Sequence, residues 1–343
     1  MTAVVLVVAL AFAGSALHSY MGLAQYYGDI NSSQVLKALP AIGCLLLIRW
    51  RWPFMCGLIA VFVTPPLVSG DEVAYRQRTF FGVHRIVEVK DGGGYWHNLW
   101  HGSTRHGCQY SKEPWASYPT MYYTKSGPVG DVMRVLEESP GTKHLALVGL
   151  GVGTIAAYGR PDWRMTYYEI DPEVKRIAED PKHYTYLSQS KSKIDVVIGD
   201  ARLKLSQTKD TYDTILLDAF SSDSIPVHLL TRQAVELYLT RLNPEGVLAI
   251  HITNRHLNLY PVVANIAADL QLFAAVRYDS EISDDDRRLR RKSTSDWIVL
   301  SKTRTALGSI EQDREWKWMK PDPATIRRTW TDDYSHVLGI LRD

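Results

Sequence analysis

From Pro128 onward, short apolar stretches alternate with amphipathic ones, and this rhythm restricts the chain to few architectures. It predicts strands at 144–149, 164–169, 193–197, 212–217, 246–252, 271–278 and 295–301. Helices are expected over roughly 129–138, 153–159, 172–179, 200–206, 230–241 and 259–270. Such alternation builds a mostly parallel α/β sheet with helices on both faces, and its ligand lies beyond the carboxyl ends of the strands. Residues 79–110 follow another rule. There aromatic and β-branched residues alternate with polar ones, as in "TFFGVHRIVEVK", and Asp91-Gly-Gly-Gly and His101-Gly supply turns. This predicts a small antiparallel unit of hairpins.

The first 70 residues differ in composition. The runs 3–17, 38–48 and 54–68 are apolar, and Arg49-Trp-Arg-Trp stands between the last two like an interfacial anchor. Each run is shorter than the roughly 20 residues that span a bilayer, and flanking residues extend them to two or three membrane segments. The first lacks the basic stretch of a cleaved signal peptide. Arg49 and Arg51 belong on the cytoplasmic side, and Pro65-Pro66 makes the third segment re-entrant or interfacial, which leaves the rest of the chain in the cytoplasm. The expected organisation is therefore 1–70 membrane segments, 71–127 hairpin unit and 128–343 α/β domain, with membrane lipid as one partner. A formal net charge of +2 argues against nucleic acid as another. Cys44, Cys56 and Cys108 are too scattered for a disulfide framework or a zinc site.

Chemistry concentrates at the predicted strand ends. In "HLALVGLGVGTIAAYG", Gly149, Gly151 and Gly153 follow a strand and open a helix, so backbone N–H groups approach a ligand closely. Glu169 in "YYEIDP" ends the next strand, about 20 residues on, where a carboxylate accepts both ribose hydroxyls. Asp200 in "VVIGDA" ends the third and is placed to accept from an adenine amino group. These residues suit an adenosine-type ligand, and S-adenosylmethionine and nicotinamide chemistry both remain open. The fourth strand, in "TILLDAFSSDSIPVHLLT", adds Asp218 and then Asp223, carboxylates able to hold a cationic amine and remove its proton.

Together these segments resemble the polyamine aminopropyltransferases, of which spermidine synthase is the type, and more narrowly their membrane-fused bacterial branch. The markers are "RTFFGVHRI", "HGSTRHGCQ", "YPTMYYTKSGPVG", "GLGVGT", "YYEIDP", "GDA", "DAFSSDSIPVHLLT" and "WTDDYS", across residues 76–343. The resemblance implies a Rossmann-like, methyltransferase-type domain and dimeric pairing. It implies that Gln109, Glu169, Asp200, Ala201 and Pro226 contact a methylthioadenosine group, that Asp218 is the base, and that the segment to Asp223 gates the amine. Tyr122 and Tyr123 fall where the family faces its small-molecule amine. The co-substrate would be decarboxylated S-adenosylmethionine, or S-adenosylmethionine itself, with no metal. Two positions depart from the family. Val152 replaces the aspartate that holds the donor's aminopropyl ammonium, and Thr124 replaces a glutamate. Val152 keeps methyl transfer and donor cleavage in play on the same fold, and a non-catalytic nucleoside or polyamine sensor is the reading from another class.

His101 and His106 are expected to be structural histidines of a hairpin, and the charged run 283–292 a solvated loop. Asp332 and Asp333 are read as opening a C-terminal helix, with Trp316, Trp318 and Trp330 packing the tail onto the sheet.

Overall fold

Strands buried on both faces form the framework. A computed structural model of the protein describes residues 51–52, 54–55, 72–219, 226–320 and 328–342. The three apolar runs fall almost entirely outside these, and among the described residues no helix is long and apolar enough to cross a membrane.

The first sheet holds β1 (Glu72–Arg78), β2 (Val83–Asp91), β3 (Gly94–His101) and β4 (Thr104–Tyr110), in that order. Asp91 pairs with Gly94 across a two-residue turn whose Gly92 and Gly93 have φ of 53° and 84°, the left-handed conformation a tight hairpin demands.

The second part runs α1 (Pro128–Glu138), β5 (Lys143–Val148), β6 (Trp163–Glu169), α2 (Pro172–Glu179), α3 (Tyr186–Gln189), β7 (Lys193–Ile198), α4 (Ala201–Gln207) and β8 (Tyr212–Leu217). It continues with α5 (Arg232–Arg241), β9 (Leu242–His251), α6 (Tyr260–Asp269), β10 (Phe273–Asp279), α7 (Asp284–Leu289), β11 (Ser295–Ser301) and β12 (Lys317–Trp318). The eight-stranded sheet has the order β12-β10-β11-β9-β8-β5-β6-β7. Its pairs are parallel from β9 through β7 and antiparallel among β9, β11, β10 and β12. This is the Rossmann-like methyltransferase-type α/β fold, and its strand order reverses between β5 and β8. One sheet face packs Leu205, Val235 and Val262 of α4, α5 and α6 against Val148 and Leu217. The other packs Val129 and Val174 of α1 and α2 against Leu147 and Trp297. Both sheets belong to one compact unit, Val73–Asp343.

Four expectations change. The stretch after the glycine turn is a 3-10 segment, Thr154–Tyr158, entered through Gly153 at φ of 79°. Six of the ten residues of the charged run are helical, since Ser283 caps α7 and Asp284, Asp285 and Asp286 occupy its first turn. Lys292, expected in a solvated loop, is buried and ion-paired with Asp279 at 3.0 Å. The tail forms a Thr331–Tyr334 turn and a 3-10 segment, Val337–Ile340, in place of a helix opened by Asp332 and Asp333. Asp332 accepts both Arg202 guanidinium nitrogens, at 2.7 and 2.6 Å, a partner distant in sequence. Trp316 and Trp330 are buried, whereas Trp318 is 40% exposed on edge strand β12 with Arg304 over its ring.

Candidate functional site

Helix capping places two carboxylates at the sheet's carboxyl edge. Asp171 caps α2 by accepting from Glu173 N, and Asp200 caps α4 by accepting from Leu203 N at 2.8 Å. Just before Asp171, Glu169 accepts from Leu150 N and Asp171 N, each at 2.9 Å. Burial raises its carboxyl, against the lowering effect of the Asp171, Leu150 and Ile170 N–H groups. Asp200 also meets His228 Nε2 at 2.8 Å. Burial works to raise the Asp200 carboxyl, but Leu203 N–H and His228 outweigh it and hold it below the ordinary range.

Asp218 follows β8 and is buried. Its Oδ1 lies 2.7 Å from His251 Nδ1, and its Oδ2 accepts from the Tyr123 hydroxyl. Burial pushes this carboxyl up, yet the charge and hydrogen bond of His251, with Tyr123 and His106, bring it below its usual value. His251 ends β9 and stacks on Trp297 with centroids 4.6 Å apart. A carboxylate only accepts, so Nδ1 of His251 carries the proton. Its Nε2 meets the Thr253 hydroxyl at 2.7 Å, and that oxygen accepts from Asp296 N. Tyr122 lies 4.7 Å from the His251 ring and 4.5 Å from Tyr123.

These groups share one cavity of about 380 Å³, within the range of small-molecule sites. Of the residues singled out in the sequence, Tyr122, Tyr123, Gly149, Gly151, Glu169, Asp200, Ala201, Asp218 and Pro226 line it. Gln109 does not. Its amide is used up on Ala116 O at 2.7 Å and on Thr185 Oγ1 and N at 2.9 and 2.7 Å, so it ties β4 to the start of α3. Gly153 is also away from the cavity, under Leu187. Asp223 lies outside the described residues.

The glycine turn has a mechanical role as well. Gly149 has φ of +94°, and a Cβ there would stand 2.2 Å from the Asp218 carbonyl oxygen. Val152 is 1% exposed and packs with Ile86 and Leu99 of the hairpin sheet, above Gly107, away from the cavity. The position expected to reach the donor's tail instead joins the two sheets.

The hairpin sheet closes the other side of the cavity through His84, Leu99, His101, Thr104, Arg105 and His106. His101, expected to be structural, does both jobs: its Nε2 meets Phe81 O at 2.8 Å and its ring stacks on His84. Asp171 clamps the sheet in place, meeting His84 Nε2 at 2.9 Å and the Thr79 hydroxyl at 2.7 Å. Asp171, His228 and His251 went unnoticed in the sequence. The first and last stand at the ends of the second and fifth parallel strands, where the rule that flagged Glu169 and Asp218 also applies.

Known proteins share parts of this sequence and its fold. A family model for S-adenosyl-L-methionine-dependent methyltransferases matches residues 170–258. A polyamine aminopropyltransferase of Vibrio vulnificus is 27% identical over 199 residues, which is 56% of this chain and 62% of that protein. A probable polyamine aminopropyl transferase of Bifidobacterium longum is 28% identical over 31% of this chain and 23% of its own length. The chain thus matches less than two thirds of either relative. A probable spermidine synthase of Corynebacterium glutamicum superposes with a TM-score of 0.55 at 15% identity, over 77% of this chain and 98% of that one.

Proposed function

We propose that this protein transfers an aminopropyl group from decarboxylated S-adenosylmethionine to a small-molecule amine and releases methylthioadenosine. One observation carries the reading: the carboxylates ending three successive parallel elements, Glu169, Asp200 and Asp218, line a single cavity with Tyr122 and Tyr123. Glu169 Oε2 accepts from Leu150 N and Oε1 from Asp171 N, and the carboxylate keeps lone-pair capacity for a ribose hydroxyl. Asp200 stands for the adenine amino group, beside Ala201 and Pro226.

In the reaction the amine nitrogen bonds to the carbon next to the sulfonium, the C–S bond breaks and its electron pair returns to sulfur. The proton leaves the amine for Asp218. His251 and Tyr123 keep that carboxylate ionised, which suits it to hold a cation, and they also weaken it as a base. Its larger contribution is therefore to draw and orient the amine, with the proton transferred late, as the N–C bond forms.

A second reading, transfer from intact S-adenosylmethionine, rests on Arg105. This cation lines the cavity, where the carboxylate that distinguishes the intact donor would meet it. The test incubates the protein with each donor and a panel of diamines, and identifies products by mass. Methylthioadenosine with an aminopropylated amine is the expected result. S-adenosylhomocysteine would overturn the proposal, and methylthioadenosine from the intact donor alone would favour the second reading.

The apolar runs before residue 70 support a membrane tether for this catalytic part, facing the cytoplasm. The full chain should sediment with membranes after a high-salt wash and move to the supernatant only with detergent. Release by salt alone would count against the tether.

A further inference from the structure

Three side chains that the reaction does not use converge between β2, β3 and the chain after α2. Glu88, His97 and His183 bring one carboxylate oxygen and two ring nitrogens within 4.8 Å of one another. Glu88 Oε1 lies 3.6 Å from His97 Nε2 and 3.9 Å from His183 Nδ1. Both separations are too long for hydrogen bonds. They approach the roughly 3.3 Å between ligand atoms around a tetrahedral ion with bonds of about 2.0–2.1 Å.

The proton positions fit an ion too. His97 Nδ1 is 2.7 Å from the His183 carbonyl, which only accepts, so Nδ1 is protonated and Nε2 turns its lone pair toward Glu88. A metal-ligating imidazole is held in the same way, its second nitrogen donating to a backbone carbonyl. His183 Nδ1 is buried and has no hydrogen-bond partner, a costly state for a lone pair unless something meets it. The side chains of Glu88, His97 and His183 are 23%, 10% and 13% exposed, so water reaches a fourth position.

We propose that Glu88, His97 and His183 bind one divalent transition-metal ion, zinc first among them by donor type, with water completing the coordination. None of the three lines the cavity, so the ion acts as a clamp. It fixes the β2–β3 hairpin to the segment between α2 and α3, and β3 also carries Leu99 and His101 of the cavity wall. The proposal stands whether or not the aminopropyl reading does.

The test strips the full-length protein with a chelator, dialyses it against zinc and measures bound metal by mass spectrometry alongside thermal unfolding. One zinc per chain and a midpoint several degrees higher with zinc are expected. His183→Ala and Glu88→Gln should each weaken zinc binding at least 10-fold and abolish the midpoint shift, while matching the stripped parent's circular dichroism. Both sites are partly exposed, and Glu88→Gln keeps the side-chain shape if His183→Ala folds poorly. Less than about a tenth of an equivalent in the parent, or full occupancy in both variants, would overturn the proposal.

Discussion

Replacing Asp218 by asparagine is expected to lower turnover by about 10²–10⁴-fold while donor affinity stays within a few-fold of the parent. A loss in the middle of that range corresponds to about 4 kcal/mol of transition-state stabilisation. Asparagine keeps the shape and a hydrogen bond to Tyr123 but removes the charge that faces His251 and would attract the amine. Glu169 and Asp200, to which the proposed function gives the nucleoside, are untouched. Methylthioadenosine release under saturating donor reads the first quantity, and calorimetric donor titration the second. A sensor without chemistry would leave the variant indistinguishable from the parent in every assay, and that result would sink the catalytic assignment.

Asp131→Ala should destabilise the fold by about 3–5 kcal/mol. Asp131 is 2% exposed on α1 and is held by three groups from three parts of the chain. Its Oδ2 accepts from Arg277 on β10 and from the Trp316 indole at 2.8 Å, and its Oδ1 from Arg134. Removing the carboxylate leaves Arg277, 8% exposed, with Ser126 O at 3.1 Å and a distant, largely exposed Glu315. The penalty comes from that uncompensated charge more than from the lost attraction. The unfolding midpoint should fall by on the order of 10 °C. Asp131→Leu combined with Arg277→Met should recover much of the loss, because neither charge then remains buried. A single variant melting within two or three degrees of the parent would show that the pair contributes little.

The sheet and its strand-end carboxylates were readable because each depends on local pattern. Period, glycine placement and the spacing from Gly149 to Glu169 lie within one βαβ unit. Partners far apart in sequence leave no such signal. His251 meets Asp218 across two parallel strands, and Asp131 meets Arg277 from the opposite end of the domain. Motif position implied a ligand role for Gln109 and matched Val152 to a tail-binding aspartate, but packing puts both to structural use, since Gly107 opens the space Val152 fills and Thr185 takes the Gln109 amide. The α7 helix is a different kind of miss. Ser283 followed by three aspartates is a helix start written in the sequence, and the density of charge concealed it.

The close approach of Gly149 to the Asp218 carbonyl limits how this protein can change. Because the glycine turn on the cavity wall touches the backbone that carries Asp218, any bulk added at 149 would shift both at once. Laboratory evolution toward new donors or amines is therefore left the opposite wall, at Thr104 and Arg105, since His106 acts on the Asp218 carboxyl. Selectivity and chemistry are separable here along a physical seam, and libraries restricted to the hairpin side should retain function far more often than those aimed at the glycines.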